Sequence, residues 1–495
     1  MTDSHDQNGG EGIRPPASRL PNGFVVRLNR LVRVRDGGRT LVGGAPTRVL
    51  YLTSVARRLL AGDALTVVDD TTRALADRLL ETGMADPVVG SLAPADEEQL
   101  TYVVPAHERA DALGRLLGSI PAGSRVIVVD DCSEHPEPVR AVAEEHGATL
   151  VRLEVNVGPG GARNAGLAAV TTPFVAFVDS DIVLEPGAIK TLLRHFADPR
   201  VALASPRVLA LEAAEPGTGW IARYEEARSS LDLGVHAGIV RPRAPVSWVP
   251  SACLVARVDA LGGGFSDGLR VGEDVDLVWR LAERGWRIRY EPAAEVRHEH
   301  RVTLGDWMLR KAVYGTGSLE LGRRHPRDIA PVILAPWSAL LVVAVVAQRR
   351  WSLPAALVLM GFTAVRIAEK VTKSDHPYRL AGTLTVTGSL AALTQAMALL
   401  LRHWWPVTVL AGVLSPRVRR AAAVAAVIDV VIEYRRTVLA APPLSGAQSR
   451  LLDPVRFGIA RRLDDLAYGA GVWFSALRGR SLGALLPDLR RRREQ

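Results

Sequence analysis

The run Phe174-Val175-Ala176-Phe177-Val178-Asp179-Ser180-Asp181 constrains this chain more than any other. Five apolar, mostly β-prone residues in succession read as a buried strand. Two carboxylates, one residue apart, follow where that strand ends. In open α/β sheets, ligands bind outside the carboxyl ends of the strands. Paired acids at such an edge suit a hard divalent cation, which takes oxygen ligands and bridges them to phosphate. The feature predicts an enzyme that handles a phosphorylated donor.

A chain of 495 residues is long enough for about two to four domains. Composition divides it into six stretches. Residues 1–19 are polar and rich in Gly and Pro, read as disordered, with no apolar core of a secretory signal. Residues 20–86 hold a strand-like run at Phe24–Leu28, a second strand pattern at Val32–Leu41, and helical patterns at Thr53–Leu60 and Thr71–Glu81. Thr53 and Asp70 are the expected N-caps, Gly62 and Gly83 the expected stops. This is a small winged-helix-like unit. Residues 87–99 form a linker. Residues 100–328 alternate strands (Leu100–Val104, Arg125–Val129, Thr149–Leu153, Phe174–Val178) with helices, which predicts an α/β domain around a mostly parallel sheet.

From residue 329 to 433 the chain turns apolar. Ile329–Ala347 carries no charge over nineteen residues, about the length that spans a bilayer, although Pro331 and Pro336 interrupt it. Trp351–Ala368, Thr383–Leu401, Trp404–Leu414 and Ala421–Ile432 follow. The expectation is a set of membrane-associated helices, either crossing the bilayer or lying in one leaflet. Residues 434–495 read as a basic amphipathic tail. From Ser415 onward there are fifteen Arg, no Lys and seven acids, a net of +8 within a chain whose formal charge is +9. Next to an apolar region, such a charge favours membrane lipid over nucleic acid as partner. Cys132 and Cys253 make no disulfide framework, in keeping with a reducing compartment. The arginines at 323, 324 and 327 place the catalytic domain on the cytoplasmic side of a cell membrane.

Several strand ends carry polar residues. Val103-Val104-Pro105-Ala106-His107-Glu108 closes the first sheet strand, and Val126-Ile127-Val128-Val129-Asp130-Asp131-Cys132-Ser133 the second. Acids there read a ribose or a base edge, or they form the turn. Asn156-Val157-Gly158-Pro159-Gly160-Gly161-Ala162-Arg163-Asn164-Ala165-Gly166 follows the third strand. Its glycines let a backbone approach a diphosphate at a helix N-terminus. Arg163 either contacts phosphate or pairs with the Asp179–Asp181 turn. Val271-Gly272-Glu273-Asp274-Val275-Asp276-Leu277 opens an amphipathic helix. A carboxylate just before a helix can act as general base on a hydroxyl, Asp274 first and Glu273 second. Arg297-His298-Glu299-His300 lies beyond the next strand, where one His can complete a metal shell.

Taken in order, these motifs resemble family 2 glycosyltransferases of the GT-A fold over about residues 100–301. The resemblance implies a nucleotide-diphosphate sugar donor, a Mg²⁺ or Mn²⁺ ion, and inversion at the anomeric carbon. By position it assigns Pro105, His107, Glu108, Asp130, Asp131, Gly160, Arg163, Asp179 and Ser180 to the nucleotide sugar. Asp181, with Asp179 and His298, would hold the metal, and Asp274 would be the base. The three-part arrangement resembles the mycofactocin biosynthesis glycosyltransferase family, which implies UDP-glucose as donor, a peptide-derived redox cofactor precursor as acceptor, and a short β-linked oligoglucoside as product. The likeness of Leu52–Gly62 to small peptide-recognition domains points the same way. Two alternatives stay open: a membrane glycosyltransferase acting on a cell-envelope or lipid-linked acceptor, and a membrane-anchored peptide- or nucleic-acid-binding protein with a degenerate catalytic domain.

Overall fold

The computed structural model describes residues 14–17, 19–60, 62–93, 96–211, 219–299, 303–439 and 452–489. The expectations for residues 1–13 and for His300 lie outside these. Two compact units emerge. One takes the described residues up to 211 together with 229–299, and the other takes 219–228 and everything from 303 onward.

The first unit begins with β1 (Val25–Leu28), β2 (Arg33–Arg35), β3 (Thr40–Gly43), β4 (Arg48–Tyr51), α1 (Ser54–Leu59), β5 (Ala64–Thr66), α2 (Asp70–Glu81) and β6 (Ala85–Pro87). The strands form two three-stranded sheets, β5-β1-β6 and β2-β3-β4. Both predicted helices are present. Thr53 caps α1 by accepting from the Ala56 amide at 3.2 Å. Asp69, not Asp70, caps α2. Its backbone is extended, so its carboxylate reaches the Thr72 amide at 2.8 Å, while Asp70 is already helical. The sequence does not signal β4, β5 and β6, because strands of three or four residues show too little of a period. With six strands in two sheets, the unit holds more β-structure than a strand pair followed by two helices.

The catalytic-type sheet contains β7 (Leu100–Ala106), β8 (Arg125–Asp130), β9 (Thr149–Arg152), β10 (Phe174–Val178), β11 (Ile182–Leu184), β12 (Val201–Ala210), β13 (Gly238–Val240), β14 (Cys253–Arg257) and β15 (Arg287–His298). Helices α3 (Ala110–Ser119), α4 (Pro136–Glu145) and α5 (Gly158–Ala168) connect β7 to β10. The order is β11-β15-β12-β14-β10-β7-β8-β9, with β13 against β15. Alternate residues of β7 feed two cores: Tyr102 and Val104 pack on one face, Val103 on the other. A sheet buried on both faces explains why its strands read as continuous apolar runs.

The expectation of a mostly parallel sheet needs correction. The strands joined by helical crossovers, β7, β8, β9 and β10, are parallel. After Val178 the connections change, and β14 runs antiparallel between β10 and β12. β11 and β13 are likewise antiparallel to β15. Only a crossover helix obliges two strands to run the same way. α6 (Ala188–Arg194), α8 (Val258–Leu261) and α9 (Glu273–Glu283) complete the layers, whereas α7 (Trp220–Ala227) belongs to the other unit.

Strand β15 joins the small N-terminal sheets to the large one. Arg287, fully buried, donates to Asp198 at 2.8 Å and to Asp77 at 2.6 Å. Arg289 donates to Asp86 at 2.5 Å. A buried guanidinium is tolerable only because carboxylates surround it.

The second unit is helical: α10 (Leu304–Thr316), α11 (Ser318–Arg324), α12 (Pro336–Ala347), α13 (Ser352–Ala368), α14 (Pro377–Ala398), α15 (Trp405–Leu414), α16 (Pro416–Tyr434) and α17 (Pro454–Gly479). The uncharged stretch from Ile329 does not make one spanning helix. Pro336 starts α12, leaving twelve residues, and Ile333 bridges to Asp488 instead. Pro377–His403, 27 residues at a mean hydropathy of 1.6, is the one described helix long and apolar enough to cross a membrane. Large apolar side chains such as Leu353, Val358, Phe362, Leu410 and Val413 are exposed on the shorter helices.

The region read as a tail is not peripheral. Helix α17 packs closely on α10, and its acids Asp464 and Asp465 are buried among cations: Lys311 lies 3.9 Å from Asp464, and Arg462 pairs with Asp465 at 3.1 Å. Arg461 and Arg462, part of what looks like a solvated excess in the sequence, are matched by Asp429 and Asp465 in space. A Cβ on Gly471 would overlap the Ala312 carbonyl of α10. Gly471→Ala should therefore cost about 1–3 kcal/mol, the usual penalty of forcing an extra methyl into a packed contact. Thermal unfolding of the full chain reads this directly.

Candidate active site

Strand ends β7, β8 and β10 and the start of α9 bring most of the sequence-predicted residues to one edge. Arg163, on α5 and 1 % exposed, is its centre. Its guanidinium pairs with Asp179 on one side and with Glu273 at 3.2 Å on the other. The same guanidinium lies over the Phe265 ring, 5.3 Å from its carbon to the centroid. Of the two roles left open for Arg163, the structure shows the ion pair. Desolvation alone would lower its affinity for the proton, and the two carboxylates more than restore it.

Glu273 and Asp274 are the first two residues of α9 rather than part of the preceding loop. Gly272 makes this possible, since its φ of 82° turns the chain sharply into the helix. Glu273 is buried against Arg163 and lies 3.4 Å from the Ser251 hydroxyl. Asp274 is half-buried and accepts backbone amides from Val275 at 2.8 Å and Ser251 at 3.4 Å. Burial first, and the neighbouring Glu273 carboxylate second, push Asp274 up to about 7. A general base works best with an affinity near ambient pH, and Asp274 has it.

Asp131 corrects the expectation for the glycine-rich segment. Its carboxylate already accepts the amides of Val157 at 2.8 Å and Gly158 at 2.9 Å at the start of α5. Gly160 is buried, and a Cβ there would lie 3.4 Å from Glu273 Cγ. Its smallness lets α5 and α9 approach. Asp130 is wholly buried and holds the turn, accepting from the Ser133 amide at 3.0 Å and hydroxyl at 2.6 Å. His107 Nδ1 lies 3.1 Å from the Asp131 carbonyl oxygen. Glu108 accepts the amides of Glu134 and His135. Pro105 sits within β7 beside Val129, and Ser180 is half-buried in the turn between Asp179 and Asp181.

The three residues expected around a metal do not all converge. His298 is the last residue of β15, not beyond it, and pairs with Ile182 of β11. That register sets its Nε2 3.5 Å from Asp181 Oδ1. Asp179 turns away to Arg163, the nearest buried positive charge. Among the described residues no cluster of three or more His, Cys, Asp or Glu forms. One carboxylate beside an imidazole still fits Mg²⁺ or Mn²⁺, which binds through one or two carboxylates plus substrate phosphates and keeps its waters.

Sequence reasoning missed Arg109 and Ser251. Arg109 donates to Asp181 at 3.1 Å and Glu299 at 2.6 Å, a pairing across 72 and 190 residues that no local pattern signals.

The family described as Glycosyl transferase family 2 matches residues 101–233, and Glycosyl transferase family group 2 matches 174–419. The Pre-mycofactocin glycosyltransferase of Mycobacterium tuberculosis is 40% identical over 477 residues, 96% of this chain and 99% of that protein. The chain belongs to glycosyltransferase family 2. Other proteins are similar over less of it. An uncharacterized glycosyltransferase of Mycobacterium bovis is 32% identical across 39% of this chain and 82% of its own length. A mannosyltransferase from Pyrobaculum calidifontis, solved with GDP-Man and Mn²⁺, is 20% identical, covers 61% of this chain and 88% of its own, and has a TM-score of 0.35. As a family 2 glycosyltransferase of the GT-A fold, this chain carries Arg163, Asp179, Glu273 and Asp274 as one linked group at its strand ends.

Proposed function

We propose that this glycosyltransferase moves glucose from UDP-glucose to premycofactocin, a peptide-derived redox cofactor precursor, with inversion, building a short β-linked oligoglucoside. The observation that carries the chemistry is Asp274, half-buried beside Glu273 and held near neutrality in its proton affinity. The match to a pre-mycofactocin glycosyltransferase along nearly the whole chain supports the acceptor. In this reading Asp274 takes the proton of the acceptor hydroxyl as that oxygen attacks the anomeric carbon. The C–O bond to the diphosphate breaks in the same displacement, and no enzyme nucleophile intervenes, so the configuration inverts. Asp181 and His298 would hold the divalent ion, which when bound neutralises the departing diphosphate. Arg163 fixes Asp179 and Glu273 so that the edge keeps its shape.

The helical unit supports membrane association, which in this reading leaves the catalytic unit on the cytoplasmic side. One helix is long enough to cross a bilayer, and the shorter ones expose valine, leucine and phenylalanine.

The test is direct. Purified protein is given UDP-glucose with premycofactocin or with a polyprenyl-phosphate acceptor, and products are read by mass spectrometry. Successive gains of one hexose on premycofactocin support the proposal. Turnover on the polyprenyl acceptor alone overturns it. Chelation with EDTA should abolish transfer, and Mn²⁺ or Mg²⁺ should restore it. Full activity in EDTA would remove the metal from the reading.

A further inference from the structure

We propose that Arg109 acts as a tethered competitor for the cation site. In the free enzyme its guanidinium sits on Asp181, and a divalent ion must displace it. The inference rests on the reading of Asp181 and His298 as the cation site.

The turn that delivers Arg109 is built for the purpose. Glu108 and Arg109 are consecutive non-glycine residues in the left-handed region, with φ of 54° and 57°. Such backbone is uncommon for side-chain-bearing residues and persists only where surroundings over-determine it. Here they do. The Glu108 amide donates to the Ser133 hydroxyl at 2.9 Å, and the Glu108 carboxylate accepts two amides from the β8–α4 connection. So fixed, the chain aims the Arg109 side chain across the edge of the sheet. One guanidinium nitrogen reaches Asp181 Oδ2 at 3.1 Å, the other Glu299 Oε2 at 2.6 Å. Arg115 holds the same Glu299 oxygen at 2.5 Å.

Asp181 thus has one oxygen beside His298 and the other on Arg109. A metal ion that takes Asp181 as ligand meets a positive charge already there. The Arg109 side chain is 44% exposed, so it is free to leave. A guanidinium fork matches phosphate oxygens in geometry. A nucleotide diphosphate arriving with the ion supplies the anion that Arg109 loses. Metal and nucleotide then bind better together than either does alone, and the coupling must be reciprocal.

Mn²⁺ binding to the full-length protein, followed by the electron paramagnetic resonance of free Mn²⁺, tests this without any turnover. Without nucleotide, Arg109→Gln should bind Mn²⁺ about fivefold tighter, the scale of one partly exposed ion pair. The improvement that UDP brings to Mn²⁺ affinity should shrink by a similar factor. Arg115→Gln, which removes an equal charge but touches only Glu299, should leave the affinity as it was. Unchanged or weaker Mn²⁺ binding by Arg109→Gln overturns the proposal. So does equal tightening by Arg115→Gln, which would make the effect one of net charge. Asp181→Asn should abolish nucleotide-free binding in either background. If it does not, the cation-site reading itself fails, independently of Arg109.

Discussion

Asp274→Asn should lower the rate of glycosyl transfer by about 10²–10⁴-fold, the usual contribution of a positioned base. The protein should nevertheless remain folded and, above neutrality, become more stable. The reason is the raised proton affinity of Asp274, whose causes are burial and the adjacent Glu273. Folded, the group holds its proton up to about pH 7, whereas unfolded it releases it near its ordinary value of 3.8. Between those limits the folded state binds more protons. Stability contributed at this position therefore falls as pH rises through that window. Asparagine has no proton to lose, so the mutant should match the parent near pH 4 and exceed it near pH 8, read as a difference in melting temperature. Activity of the parent should rise with pH and level off above about 7, because only the unprotonated carboxylate accepts a proton. A mutant that kept its rate, or a parent whose activity had no acid limb, would dismiss Asp274 as the base.

Legibility in the sequence followed the range of the interactions. Strand β10 matches its expected bounds, Phe174–Val178, because five apolar residues closed by a turn are a local signal. The placement of Glu273 and Asp274 was legible for the same reason, since acids opening an amphipathic helix stand out. Sheet direction beyond Val178 was not, because no crossover helix fixes it. The orientation of the strand-end acids was less legible. A carboxylate pair can be read from spacing, but which of Asp179 and Asp181 turns toward Arg163 depends on a buried charge sixteen residues upstream of Asp179. The glycine-rich segment shows what spacing alone leaves out: Asp131 from the neighbouring strand end takes two amides at the start of α5. In the helical unit, Pro336 ended one apolar run that composition alone would have let cross a bilayer.

Arg163→Met should be the single change at this edge most damaging to stability. Methionine keeps much of the stem but removes the charge that lies over Phe265 and between Asp179 and Glu273. Breaking a buried pair from one side leaves uncompensated carboxylates and typically costs about 3–5 kcal/mol. Those carboxylates can escape by taking up protons, so the folded mutant gains protons relative to its unfolded chain. The loss should therefore be largest near pH 8 and shrink toward pH 5, and urea unfolding at the two pH values measures it. Arg163 also lowers the proton affinity of Asp274, opposing burial. Without it the acid limb of activity should move above 7, to the alkaline side. Arg163→Lys keeps a charge but cannot span two carboxylates, and should recover stability in part with an intermediate shift of that limb. If the limb stayed in place in both variants while stability fell, Arg163 would be a structural strut alone, with no influence on the base.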